Sequence, residues 1–355
     1  MPQGHCGVAD YTLRLARSLT EGGTAVAVLS SPCEMSDKPS FLIEKVRNWG
    51  FWGAFAAKEA VEAANPALTH FQYPAQGFGH KLGPQLLAVL LKMGGRKTAL
   101  TLHEFKHAHP LRKLSVLPLL LCADFLFFTS EEERSAVGGA YPFLKGKLRE
   151  KSSIVAVGCP LEVRGGMPKP PGLPVIAYFG LFYPGKLAEF ALDAFCEVEK
   201  KAPGSFKYVF IGDKHPRHTA YFESVRGRAN ALLADRVQWH VGLSSSEVAR
   251  ELEEASFFML PYAGGASFRR TTLNCALLCG APVITNPGPS TPPDIKDGEN
   301  VLLADTPVKA AESALRLLAD ADLRARIAAG GTRLGAAISW KNISAAHAAA
   351  YARVL

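Results

Sequence analysis

The run Pro261-Tyr262-Ala263-Gly264-Gly265-Ala266-Ser267-Phe268-Arg269-Arg270-Thr271-Thr272-Leu273-Asn274-Cys275-Ala276-Leu277-Leu278-Cys279-Gly280-Ala281-Pro282-Val283-Ile284-Thr285 follows an apolar strand, Phe257 to Leu260. It reads as a glycine-rich loop, a helix, a glycine stop and a second strand. Strand, turn and helix in that order form one unit of a wound α/β sheet. A helix start at Thr271-Thr272 offers unsatisfied N–H groups, two hydroxyls and a positive dipole end, all suited to a phosphate. Arg269 and Arg270 add charge beside it. At about 4 Å and an effective dielectric near 20, a guanidinium and a phosphate attract by about 4 kcal/mol before desolvation. A plain turn with two solvated arginines is the competing reading; the coincidence of loop, helix end and arginines favours the anion site.

Outward from this run, short apolar segments alternate with longer amphipathic ones, the rhythm of βα units around a mostly parallel sheet. Towards the N-terminus the expected strands are Val175 to Phe179, Lys207 to Gly212 and Val237 to Val241, with helices over Leu187 to Lys201, Tyr221 to Ala231 and Ser246 to Ala255. An earlier series has helices at Val8 to Thr20, Phe55 to Asn65 and Gly83 to Met93. Its strands are Thr24 to Ser30, Ala67 to Gln72, Lys97 to Leu102, Phe125 to Thr129 and Ile154 to Val157. Ser130-Glu131-Glu132-Glu133 is a cap-plus-acid helix opening. The proline-rich segment Val163 to Pro174 separates the two series and reads as a linker. Only three residues precede Gly4-His5-Cys6-Gly7, so the strand that normally opens such a domain is expected to be missing, leaving a weakened first domain.

The chain has 355 residues, with 40 Lys+Arg against 32 Asp+Glu for a formal charge of +8, and is 48% hydrophobic. That length exceeds one ordinary core and implies two domains, and the apolar content argues against disorder. The charge divides as 19 basic and 14 acidic residues through position 165, then 21 and 18. The seven cysteines (6, 33, 122, 159, 196, 275 and 279) are odd in number and lack Cys-x2-Cys spacing, so the sequence supports neither a disulfide framework nor a zinc ribbon. A reducing, cytoplasmic compartment is the simplest expectation. The N-terminus lacks the order of a signal peptide, and the most apolar stretch, Leu114 to Phe128, is interrupted by Pro118 and Asp124. No aromatic-basic signature points to nucleic acid. Asp320-Ala321-Asp322 has metal-site spacing but reads as a solvated helix face. Leu86 to Met93, with Lys81, Lys92, Arg96 and Lys97 nearby, could lie on an anionic membrane; a core helix with exposed lysines is the alternative.

Cys279-Gly280-Ala281-Pro282-Val283-Ile284 resembles a segment of retaining nucleotide-sugar glycosyltransferases of the GT-B fold, in the large family 4. Four further landmarks fall in that family's order: Gly4 to Thr12, Thr101-Leu102-His103-Glu104, Tyr178 to Lys186, and Ser339-Trp340-Lys341-Asn342-Ile343. The resemblance implies two Rossmann-like doubly wound domains facing a cleft: 1–165 on the acceptor side and 166–338 on the donor side, with a terminal helix, 339–355, returning to the first domain. Closure about the linker would exclude water.

Residue by residue, the resemblance implies that Lys186 meets the donor diphosphate and stabilises its developing charge. His103 would contact the transferred sugar, and Gly7 would approach the diphosphate or acceptor. Leu181 stands where the family usually has an arginine, a charge that Arg269 or Arg270 would supply. Ser267 and Cys275 stand where the family has two glutamates; the Ser267 hydroxyl can still bond the sugar, whereas Cys275 is a poor ribose partner. Gly212 and Leu243 would lie near the nucleobase, and Arg269, Arg270, Thr271 and Thr272 at the diphosphate. The expected activity is retaining transfer of a hexosyl group from a nucleoside diphosphate sugar to a glycan, lipid-linked or small-molecule acceptor, with no metal and no cofactor besides the donor. The expected location is cytoplasmic, extending to peripheral contact at the inner membrane face in the service of cell-surface polysaccharide. The rival is a catalytically silent protein of the same fold that binds a nucleotide, glycan or partner.

Overall fold

A computed structural model describes residues 7–32, 38–74, 78–79, 81–166, 169 and 171–355. Gly4, His5 and Cys6 lie outside the described residues. The chain divides into two compact units, residues 1–158 with 340–355, and residues 159–339.

The first unit opens with α1 (Gly7–Glu21) and a short parallel pair, β1 (Val28–Leu29) and β2 (Leu42–Ile43). Then come α2 (Phe51–Ala64), β3 (Leu68–Tyr73), α3 (Gly83–Met93), β4 (Lys97–Leu102), α4 (Pro110–Cys122), β5 (Phe125–Phe128), α5 (Glu131–Ala140), α6 (Lys145–Glu150) and β6 (Ser152–Ile154). Strands β3-β4-β5-β6 form one parallel sheet in sequence order, with Leu100 opposite Leu126. All four residues of β5 are buried, which explains its unbroken apolar run in a strand covered on both faces.

Several details differ from the sequence reading. The strand expected over 24–30 shrinks to Val28–Leu29, and α4 runs through Pro118 as a thirteen-residue helix. Among the described residues no helix is long and apolar enough to cross a membrane. The face of α3 that could have met a membrane is core: Leu87, Ala88 and Leu91 are buried, and Lys92 pairs with Asp124.

The second unit contains β7 (Val175–Phe179), α7 (Ala188–Lys201), β8 (Lys207–Ile211), α8 (Thr219–Leu233), β9 (Val237–His240), α9 (Ser245–Glu254) and β10 (Phe257–Leu260). It continues through α10 (Thr271–Leu278), β11 (Val283–Thr285), β12 (Leu302–Leu303), α11 (Pro307–Ala319) and α12 (Ala321–Ala337). Its six-stranded sheet is parallel in the order β12-β11-β10-β7-β8-β9. Alternation sorts the two faces: Ile176, Tyr178, Phe257 and Met259 pack with α7, α8 and α11, while Ala177, Phe258 and Leu260 pack with α9 and α10. Asp320 caps α12 by accepting from the Leu323 N–H. The last helix, α13 (Trp340–Ala352), belongs to the first unit, where Ile343 joins Tyr11, Leu15 and Leu19 of α1 in one cluster.

Two described residues of the segment read as a linker pack within the second unit: the Arg164 N–H donates to Glu253, and Val163 leans on its core. Cys159 and Cys275 are joined in a disulfide with Cα atoms 5.0 Å apart. This corrects the sequence reading, in which an odd cysteine count offered no pairing.

Candidate functional site

In the second sheet the chain leaves β7 for β8 and β9 on one side and returns to β10, β11 and β12 on the other. The direction of winding therefore reverses between β7 and β10, where ligands of open α/β sheets bind beyond the carboxyl ends of the strands. The loops after β7 and β10 both emerge there. After β7 a single 3-10 turn, Pro184–Lys186, ends at Leu187, whose φ of 49° is left-handed and turns the chain into α7. After β10 the loop depends on Gly265: its φ is +93°, and a Cβ there would sit 2.5 Å from the Gly288 amide nitrogen. Asn286 clamps the start of this loop, accepting from the Tyr262 N–H at 2.7 Å and donating to the Tyr262 carbonyl at 3.0 Å.

These loops bring Lys186, Tyr262, Arg270 and Thr272 together. The Lys186 ammonium lies 3.4 Å from the Thr272 hydroxyl and 5.3 Å from the centre of the Tyr262 ring. The Arg270 guanidinium lies 5.2 Å from the same ring and donates to the Ala263 carbonyl at 2.6 Å. The Tyr262 and Thr272 hydroxyls are 2.9 Å apart. Burial, seconded by the Arg270 charge, pulls the Lys186 ammonium down to about 8; no carboxylate acts on it. Arg270 is the N-cap of α10, and its side chain makes no cap hydrogen bond to that helix. Two cations, an uncapped helix start and two hydroxyls around a buried tyrosine form a site short of one anion.

Thr271 is the first residue of α10 and half-buried, and Arg269 precedes the arginine that reaches the ring. Ser267 is buried, with its carbonyl accepting from the Arg270 N–H. Gly212 follows β8 at φ +139°, so close to Gly180 that a Cβ would strike the Gly180 carbonyl; its first duty is backbone packing between the two loops. Leu243 is half-buried between β9 and α9. Cys275 is fully buried in its disulfide, so the thiol is withdrawn from any ligand. Tyr262 and Asn286 were not singled out as site residues from sequence; a tyrosine between the end of an apolar strand and a pair of glycines is a signal for Tyr262, and none marks Asn286.

In the first unit His103 follows β4, 8% exposed, with its Nε2–H donating to Gln72 at 2.9 Å and its ring edge-on to Tyr11. Behind it, His70 faces Thr101 at 2.8 Å and the Tyr351 hydroxyl of α13 at 2.6 Å. Gly7 opens α1, and a Cβ there would meet nothing within 4 Å. The loop after His103 is fixed by buried Glu133, whose Oε2 accepts from the Phe105 and Lys106 N–H groups at 2.6 and 2.8 Å. Removing that carboxylate leaves two amides without their partner. Glu133→Ala is expected to cost about 2–3 kcal/mol, read as a lower urea midpoint.

Residues 173–320 match the family model described as glycosyl transferases group 1. No curated protein sequence matches the chain. Among solved structures, HepE of Anabaena in complex with UDP-glucose is 14% identical over 99% of this chain and 98% of that one, with a TM-score of 0.72. A glycosyltransferase from Rickettsia africae is 14% identical over 100% and 97%, with a TM-score of 0.71. Sucrose-phosphate synthase from Thermosynechococcus elongatus is 15% identical over 97% and 92%, with a TM-score of 0.64. The protein thus carries a glycosyl transferases group 1 domain over residues 173–320, on the two-unit α/β fold of GT-B glycosyltransferases.

Proposed function

We propose that the protein is a retaining glycosyltransferase that moves a hexosyl group from a nucleoside diphosphate sugar to a glycan, lipid-linked or small-molecule acceptor. The observation that carries this reading is the meeting of Lys186, Arg270 and Thr272 around Tyr262 where the winding of the second sheet reverses. The anion that completes such a site is the diphosphate. As the bond between the sugar carbon and the phosphate oxygen breaks, negative charge grows on the leaving group, and Lys186 and Arg270 stabilise it without having to move. The acceptor oxygen bonds to that carbon on the face the phosphate leaves, and its proton passes to the departing phosphate oxygen, so no carboxylate pair is needed.

In this reading Thr271, Thr272 and Arg269 complete the diphosphate pocket, Ser267 holds the sugar, and Gly212 and Leu243 border the base. His103 and Gly7 serve the sugar and acceptor from the first unit. The UDP-glucose bound in HepE supports a nucleotide sugar as the donor class.

A second reading, nucleotide binding without transfer, is favoured by one observation: Cys275, where the family has a ribose-binding glutamate, is sealed in a disulfide. Incubation with UDP-, GDP- and ADP-hexoses separates the two. Release of diphosphate from one donor, with retention at the anomeric carbon read by NMR of the product sugar, supports the proposed transfer, and inversion overturns the retaining course; a melting shift with no turnover on any donor supports the silent protein.

A further inference from the structure

Exposed aromatic side chains gather at one place among the described residues. At the start of α2, Phe51 is 59% exposed, Trp52 80% and Phe55 41%. The three rings touch one another, with centroids 5.2 Å apart from Phe51 to each of the others and 6.2 Å between Trp52 and Phe55. They point outward because the inner face of the helix is taken: Ala54 and Ala57 are buried against Val46, and Gly53 lies so close to the Asn48 carbonyl that no Cβ would fit. Leu82, 58% exposed, joins the tip, since the Gly83 N–H donates to the Trp49 carbonyl and holds residues 81–83 beside residue 49.

The surroundings are mostly cationic, with the exposed Glu59, one turn beyond Phe55, the first acid on α2. Lys45, Arg47 and Lys81 are exposed around this tip, and no Asp or Glu occurs from Lys45 to Ala57 or from Phe78 to Met93. Trp and Phe side chains seek the boundary between lipid headgroups and acyl chains, and each lysine or arginine near an anionic leaflet adds attraction. Four apolar side chains ringed by cations are too few for a stable dimer interface, which takes some 20–30 residues a side. Like-charged rims would also repel each other in a symmetric pair. We infer that the tip of α2 docks into the interfacial region of an anionic phospholipid bilayer. This goes beyond the glycosyl-transfer reading and does not depend on it, because it concerns binding with neither donor nor acceptor present.

The test is flotation of the full chain with vesicles of phosphatidylcholine alone or mixed with phosphatidylglycerol. Binding is expected on the mixed vesicles, with Trp52 emission shifted to the blue and quenched by brominated acyl chains, a signal lost in Trp52→Phe. The double variants Trp52→Ser/Phe55→Ser and Arg47→Glu/Lys81→Glu should each lower the partition coefficient at least about tenfold, with unchanged circular dichroism. Equal recovery with both vesicle types, equal binding by the variants, or a dimer in sedimentation that Trp52→Ser dissolves would each overturn the assignment.

Discussion

Replacing Lys186 with methionine should make the protein more stable and its transfer activity negligible. The ammonium is held in a half-buried site beside Arg270 with no carboxylate to offset it, and its pKa is pulled down to about 8. The sign follows from proton binding. Below about pH 8 the folded chain carries a charge that the unfolded chain, with an ordinary lysine near 10.5, carries at no cost. At 1.36 kcal/mol per pKa unit the full penalty is about 3 kcal/mol; partial hydration of the site brings the expected gain of Lys186→Met to about 1–2 kcal/mol, seen as a higher urea midpoint at pH 7. Turnover should fall at least about 100- to 1000-fold, the usual loss when one donor to developing charge is removed. Donor affinity of the parent protein should also weaken above about pH 8, as the free site gives up its proton. A residue that lowers stability while raising turnover is the signature of a binding site rather than of a scaffold.

Mild acid should unfold the first unit ahead of the rest. His347 on α13 is buried against the Phe127 ring, with centroids 4.3 Å apart, and its Nδ1–H donates to the Ile343 carbonyl. Burial pulls its pKa down to about 4, and burial with its neighbours His347 and His103 holds His70 well below the usual histidine range. Both therefore bind protons more readily in the unfolded chain. Their contribution is intact above about pH 6.5 and is lost as pH falls towards 4. For His347 alone the loss is about 2 kcal/mol by pH 5. His347→Phe, which keeps the stack on Phe127, should flatten the dependence of the urea midpoint on pH between 7 and 5. An unchanged slope would show that His347 does not titrate as its burial requires.

Much of this architecture could be read from the chain because buried parallel strands are written as unbroken apolar runs: Phe125 to Phe128 and Phe257 to Leu260 are fully buried in the sheets. Lys186, Arg270 and Thr272 could be picked out because each sits where a strand gives way to a helix. The family resemblance already put them at one diphosphate; what sequence could not show was how they are held together. Tyr262 and Asn286 arrange them through contacts between loops distant along the chain, and local periodicity carries no trace of such contacts. The same holds for the disulfide, whose cysteines lie 116 residues apart. The aromatic tip of α2 was hidden for another reason. Phe51-Trp52-Gly53-Ala54-Phe55 looks like core, and only the approach of Gly53 to the Asn48 carbonyl turns the small residues inward and the rings out. The α4 helix escaped because Pro118 suggests a break, yet the helix continues through it.

The central claim is that Lys186, Arg270 and Thr272 form the seat of a donor diphosphate. Equilibrium titration of UDP, GDP and ADP into the parent protein, Lys186→Met and Arg270→Ala tests it most directly, because it needs no knowledge of sugar or acceptor. One of the three nucleotides should bind the parent protein, and each substitution should weaken that binding by about 10- to 100-fold, as expected for a charge-assisted contact worth about 1.5–3 kcal/mol. Binding of equal strength to all three proteins, or none of the nucleotides binding the parent, would contradict it.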